Sequence, residues 1–205
     1  VSRRHGNYLL FFPSHAFLRQ VYETYTEVYN ADGKVECILQ GEHMNEQARE
    51  DFLSRFVGNE ECVLEDVIHM EIEMEEERSL LGFCVMGGIF SEGIDLKKDS
   101  LIGAIIIGTG LPQVCNEREL LKNYFDEQGE NGFDYAYRYP GMNKVMQAAG
   151  RVIRTEEDFG IVALLDERFL MPSYQKMFPR EWKSQQIVNV DQIGHKVEAF
   201  WNEWL

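Results

Sequence analysis

The stretch Gln147-Ala148-Ala149-Gly150-Arg151-Val152-Ile153-Arg154 has the residue types and spacing to do chemistry. On an α-helix, positions i, i+4 and i+7 fall within about 60° of one another, so Gln147, Arg151 and Arg154 are predicted to project from one face. Val145, Ala149, Val152 and Ile153 supply its apolar contacts. Two guanidinium groups one turn apart, with a glutamine one turn earlier, present planar forked donors suited to an anion such as a γ-phosphate. The acid-rich Glu156-Glu157-Asp158 just beyond offers another explanation, a surface helix laced by salt bridges. Spacing alone leaves both open.

Three further polar, glycine-bearing segments directly follow apolar runs: Pro13-Ser14-His15, Gly87 to Asp95 (GGIFSEGID) and Gly108-Thr109-Gly110-Leu111-Pro112. Exposed N–H groups in such turns are natural phosphate ligands, and glycine lets the backbone come close. Gly108-Thr109-Gly110 lacks the third glycine of a dinucleotide fingerprint and reads as a tight strand-exit turn. Ser91 does not sit in a nucleophile elbow, because Ile89 occupies the first glycine position. The histidines at 5, 15, 43, 69 and 195 show no metal-site spacing.

The elements that must position these residues follow from hydrophobic period. Five short, nearly continuous apolar runs, Tyr8–Phe12, Val35–Leu39, Leu81–Met86, Ile102–Ile107 and Ile161–Leu165, have the pattern of strands buried on both faces of a parallel sheet. Helical periodicity lies between them. Phe17, Leu18, Val21, Tyr22 and Tyr25 share one face, as do Ala48, Phe52, Leu53 and Phe56, and Glu117–Phe125 and Met142–Arg154 are two more predicted helices, the latter started by Pro140-Gly141. Tyr124 to Tyr139, with Gly129, Asn131 and Gly132, reads as a loop, and Pro172 to Pro179 as a closing turn. Ile193, Val197, Phe200, Trp201 and Trp204 predict a docking amphipathic helix over about 190–205. The alternation implies an open α/β sheet covered on both sides, in a single domain spanning 1–205. Ligands of such sheets bind beyond the carboxyl ends of the strands, so the three polar loops are expected on one rim, with the arginine-bearing helix on the same cleft.

Composition bounds the rest. Twenty Lys+Arg against 35 Asp+Glu give a net charge of −15, and 44% hydrophobic residues supply a core. Charge alone argues against tight unassisted binding to a phosphate backbone. Glu71 to Arg78 (EIEMEEER) reads as a solvated acidic face. The apolar run Leu101–Leu111 falls well short of the roughly 20 residues that span a bilayer, so no membrane span is expected. Val1 is not followed by a signal-peptide core, and the chain reads as a piece of something longer. Cys37, Cys62, Cys84 and Cys115 fit neither a metal site nor a disulfide framework and read as reduced thiols of a cytoplasmic protein.

Phe11-Phe12-Pro13-Ser14, Gly88-Ile89-Phe90-Ser91-Glu92-Gly93-Ile94-Asp95-Leu96, and Gln147 to Arg154 continued by Asp158-Phe159-Gly160 and Asp166-Glu167-Arg168-Phe169, resemble helicase motifs IV, V and VI. Their order and separation resemble the second RecA-like domain of the XPD/DinG family of superfamily-2 DNA helicases, over roughly Asn7 to Trp182. The resemblance implies a RecA-like three-layer α/β/α fold with a mainly parallel sheet. It implies that Gln147, Arg151 and Arg154 face ATP bound, with Mg2+, mainly by a first RecA-like domain, the arginines acting as fingers on the γ-phosphate. Glu92, Gly93 and Asp95 would couple nucleotide to nucleic acid, with Asp95 contacting the nucleotide cleft, while Ser14, Gly88 and Ser91 would line the path of single-stranded DNA. It further implies 5′ to 3′ translocation, a role in DNA repair at the bacterial nucleoid, and no iron–sulfur cluster within this segment. Archaeal and eukaryotic members tend to carry basic residues where this chain has Gly87 and Ile89, and neither a G-x-x-x-x-G-K-[ST] loop nor a D-E-A-H box occurs here. A different expectation, a non-catalytic RecA-like module that binds protein through its acidic face or Trp-bearing tail, is opposed by the intact Gln147, Arg151 and Arg154.

Overall fold

The computed structural model of the chain describes residues 1–57, 79–88, 90, 101–153 and 158–204. The five apolar runs form β1 (Asn7–Phe12), β2 (Val35–Leu39), β3 (Ser79–Val85), β4 (Gly103–Ile107) and β5 (Ile161–Leu165). Every pairing is parallel, in the order β2-β3-β1-β4-β5. All five carboxyl ends therefore open on one edge of the sheet.

Alternation along the strands divides the core in two. Tyr8 and Phe12 of β1 and Leu81 and Phe83 of β3 point to one face, where Leu18 of α1 (His15–Thr24) is fully buried and Tyr22 stands edge-on to Phe83 at 5.1 Å. Leu9 and Phe11 of β1 and Ala104 and Ile106 of β4 point to the other, against α2 (Glu46–Val57) and the predicted arginine-bearing helix. Gly82 of β3 makes room for α2: a Cβ there would stand 2.6 Å from Phe56 Cζ and 2.7 Å from Leu9 Cδ2. Helices on both faces of a parallel sheet give the RecA-like α/β architecture.

Two segments depart from expectation. The stretch Tyr124–Tyr139 is mostly helical. The α3 helix (Asn116–Glu127) is followed by a short reversal at Gly129, with φ +80°, and a π-helical turn at Asp134–Arg138 runs directly into α4 (Tyr139–Ala149). Aromatic pairing across the reversal supplies the reason: Phe125 and Tyr135 stack at 3.9 Å, and Tyr137 donates its hydroxyl hydrogen to the Glu119 carboxylate. The α4 helix also starts three residues before Met142 and stops at Ala149 rather than reaching Arg154. Gly150, at φ −66° and ψ 1°, leaves the helical region, and the next two N–H groups bond three residues back, Arg151 to Ala148 O and Val152 to Ala149 O.

Beyond β5 the expected closing turn contains the single-turn α5 (Pro172–Gln175), and the tail forms α6 (Val190–Trp204). Trp201 is buried beneath Arg4, whose guanidinium lies 5.5 Å from the ring centroid, and Glu198 pairs with Arg3 at 3.6 Å. The side chain of Trp204, the acidic run 71–78 and Cys62 lie outside the described residues. Among the described residues no helix is long and apolar enough to cross a membrane.

Candidate functional site

The carboxyl-end rim gathers the described parts of the three polar loops: Ser14, Gly87-Gly88 and Gly108-Thr109-Gly110. Ser14, in extended backbone at φ −157°, follows β1 and accepts the Phe17 N–H at 3.3 Å as the N-cap of α1. That bond uses acceptor capacity, so the half-buried hydroxyl keeps its own hydrogen to donate. Gly88 follows β3 and borders an open groove of about 600 Å³ lined also by His15, Gln40, Glu42, His43 and Asn45. Gln40 is a structural part of this rim that the motif pattern missed. Its N–H bonds Phe83 O at 2.9 Å, and its side-chain Oε1 accepts the Val85 N–H at 2.8 Å, extending the β2–β3 ladder beyond the last β2 residue. The signal for it was a lone amide directly after an apolar strand run.

Gly108-Thr109-Gly110, leaving β4, is a tight strand-exit turn. Gly108 and Gly110 have φ of +86° and +65°, and Thr109 is buried. A Cβ at Gly110 would stand 2.7 Å from Gly141 O, and one at Gly141 would stand 2.6 Å from Thr109 O, so the amino end of α4 is seated directly on this turn. At the end of β5, Asp166 caps a 3-10 turn at Glu167–Leu170 and takes the Arg168 guanidinium in a fork at 2.8 and 2.7 Å. That fork holds the Asp166 carboxyl below the usual carboxylate range.

The opposite end of α4 leads into Arg151, and here the helix stops short of the expected 142–154 span, so Gln147 and Arg151 do not share one continuous helix. Gln147 is exposed on α4, while Arg151 sits past the helix end in the following turn. The neighbouring Val152 is buried against Gly160, a Cβ at Gly160 would stand 2.9 Å from Ile102 O, and Ile161 N–H bonds that same carbonyl. Gly160 and Ile102 immediately precede β5 and β4, so the Arg151 turn lies at the amino edge of the sheet. The carboxyl-end rim is at the other end of α4, about 15 Å away at 1.5 Å per residue from Gly141. Arg154, Ser91, Glu92, Gly93 and Asp95 lie outside the described residues, as do Ile89 and the acidic pair 156–157. Phe90 is described, buried and 4.3 Å from the Phe52 ring. Among the described residues Cys37, Cys84 and Cys115 are unbonded thiols, burial pushing the Cys84 thiol far up, and no group of three or more His, Cys, Asp or Glu is disposed to hold a metal ion.

Comparison with known proteins bears on this arrangement. The profile of the helicase C-terminal domain family matches residues 1–185. ATP-dependent DNA helicase CHL1 of Candida albicans is 28% identical over 190 residues, covering 87% of this chain and 21% of that protein. Regulator of telomere elongation helicase 1 of Homo sapiens is 34% identical over 122 residues, covering 55% of the chain and 10% of its own length. ATP-dependent DNA helicase DinG of Photobacterium profundum is 40% identical over 91 residues, 43% of the chain and 13% of that protein. The chain thus spans about a tenth to a fifth of these curated relatives. A solved XPD helicase superimposes with a TM-score of 0.58 at 20% identity, over 83% of this chain and 26% of that one, which shows the shared fold. The chain belongs to the helicase C-terminal domain family and is related to the XPD/DinG helicases.

Proposed function

We propose that this domain is half of the motor of an ATP-dependent DNA helicase that translocates 5′ to 3′ on single-stranded DNA. ATP and Mg2+ are bound mainly by a first RecA-like domain of the same polypeptide. Arg151 and Arg154 reach the γ-phosphate as fingers, Gln147 faces the nucleotide beside them, and Glu92, Gly93 and Asp95 link the nucleotide to the strand. Ser14, Gly88 and Ser91 form part of the track, where hydroxyls and backbone N–H groups hold phosphates without net positive charge. By the same reading the protein works in DNA repair at the bacterial nucleoid, in the cytoplasm.

The observation that carries this reading is the placement of α4. Its amino end is seated on the β4 exit turn at the rim, and its carboxyl end leads into the Arg151 turn at the opposite edge. One rigid helix joins the two surfaces, so a displacement of the arginine end by nucleotide is carried to the DNA-facing loops. The full-length protein is expected to hydrolyse ATP faster with oligothymidylate present and to unwind duplexes with a 5′ overhang in preference to a 3′ overhang. The isolated domain is expected to show no ATPase and no tight DNA binding at physiological salt. Absence of DNA-stimulated turnover in the full-length protein would refute the reading and favour a non-catalytic interaction module.

A further inference from the structure

Among the described residues, two rim arginines are neutralised locally by carboxylates. Arg19 pairs with Glu42 at 3.0 Å beside the groove, and Arg168 forks onto Asp166 at the end of β5. Lys144 differs. It lies half-buried on α4, one turn before Gln147, and makes no ion pair or hydrogen bond among the described residues. Its stem is laid across the exit of β3. Gly87 has φ +70°, and a Cβ there would stand 2.8 Å from both Cδ and Cε of Lys144. A Cβ at Gly110 would stand 3.5 Å from Lys144 Cβ. The stem therefore bridges the β3 and β4 exit turns, and the ammonium, one bond beyond Cε, is held at the exposed Gly87 turn beside Gly88.

We propose that Lys144 is a phosphate contact of the single-strand track, supplying a cation from α4 at the exit turn of β3. The proposal rests on the helicase reading above. An aliphatic stem on apolar backbone with its charged head at the surface is the ordinary disposition of a lysine, and a compact ammonium is a sufficient partner for one phosphate. Gly87 is favoured by its φ, which lies where L side chains are strained, and a Cβ there would also push the flexible Lys144 stem aside. The occupant is DNA rather than nucleotide because Lys144 is seven residues before Arg151, about 10 Å along α4 toward the rim. The same helix would then read both ligands, nucleotide at its carboxyl end and strand at its amino end.

The test is binding of a fluorescein-labelled oligothymidylate to the full-length protein, measured by anisotropy across a salt series. Neutralising one phosphate contact on single-stranded DNA changes the slope of log K against log salt by about 0.7. Lys144→Met, which keeps an unbranched apolar stem without charge, is expected to lower the slope by about that amount. Lys144→Arg is expected to restore it. Gly87→Ala, whose methyl group enters the space of the stem, is expected to lose part of the same increment with the lysine still present. A Lys144→Met slope equal to wild type overturns the proposal, as does a loss that arginine fails to restore. If the wild-type protein itself binds no oligothymidylate, the helicase reading falls with it; wild-type binding with an unchanged Lys144→Met slope rejects Lys144 alone.

Discussion

Gly141 shows how closely the elements of this site approach. A Cβ there would stand 2.6 Å from Thr109 O and 3.1 Å from Leu111 N, both backbone atoms that cannot rotate aside. Gly141→Ala is expected to cost about 1–3 kcal/mol in urea unfolding through overpacking. Tyr137 governs a different variable. Its phenol donates to the Glu119 carboxylate, which keeps the proton on, and its pKa is pushed up to about 12. A phenol whose proton is held more tightly in the folded state contributes stability that is complete below its ordinary value of about 10 and is lost as pH rises toward 12. Tyr137→Phe is therefore expected to flatten the decline in unfolding free energy between about pH 10 and 12, measured against wild type by urea titration at each pH. Neither effect was visible in the motif pattern. Pro140-Gly141 read as a helix start signal, and nothing local revealed that the glycine is also the contact surface for another turn.

At the scale of elements, an aromatic contact ties α2 to the chain after β3: the Phe52 ring lies tilted at 4.3 Å from the fully buried Phe90 and at 5.7 Å from Phe56. Phe90→Ala is expected to lower stability by about 3–5 kcal/mol, the usual cost of emptying a phenylalanine site, with a downward shift in the thermal midpoint as readout. The central strands β1, β3 and β4 were legible because a strand buried on both faces must be apolar at nearly every position, while the half-buried edge strands β2 and β5 were legible only as short apolar runs. The helices facing the sheet were legible by period, Leu18 and Phe52 being the clearest cases. Helix ends were harder. Gly150 and Arg151 continue the period of α4, and only the tertiary seat of Val152 against Gly160 turns the chain there. The sequence around Gly129 reads as a long loop because the stacking of Phe125 on Tyr135 is a contact across the reversal, not a local propensity.

For the whole molecule, a charge of −15 and the pairing of Arg19 and Arg168 with carboxylates among the described residues predict little long-range attraction of this domain for DNA. The parallel sheet nonetheless separates the two surfaces proposed to act, the polar loops at the carboxyl edge and the Arg151 turn at the amino edge, with α4 between them. The first was legible from strand-exit loops; the second was legible in residue type but not in place, because an uninterrupted helix was assumed. The central claim is that this domain completes an ATPase whose nucleotide is held elsewhere. It is tested most directly by Arg151→Ala and Arg154→Ala in the full-length protein, with ATP turnover and ATP affinity measured side by side. Turnover is expected to fall by about 10³–10⁵ in each variant, the scale of an arginine finger, with ATP binding retained. ATPase activity at the wild-type rate in both variants would contradict the account.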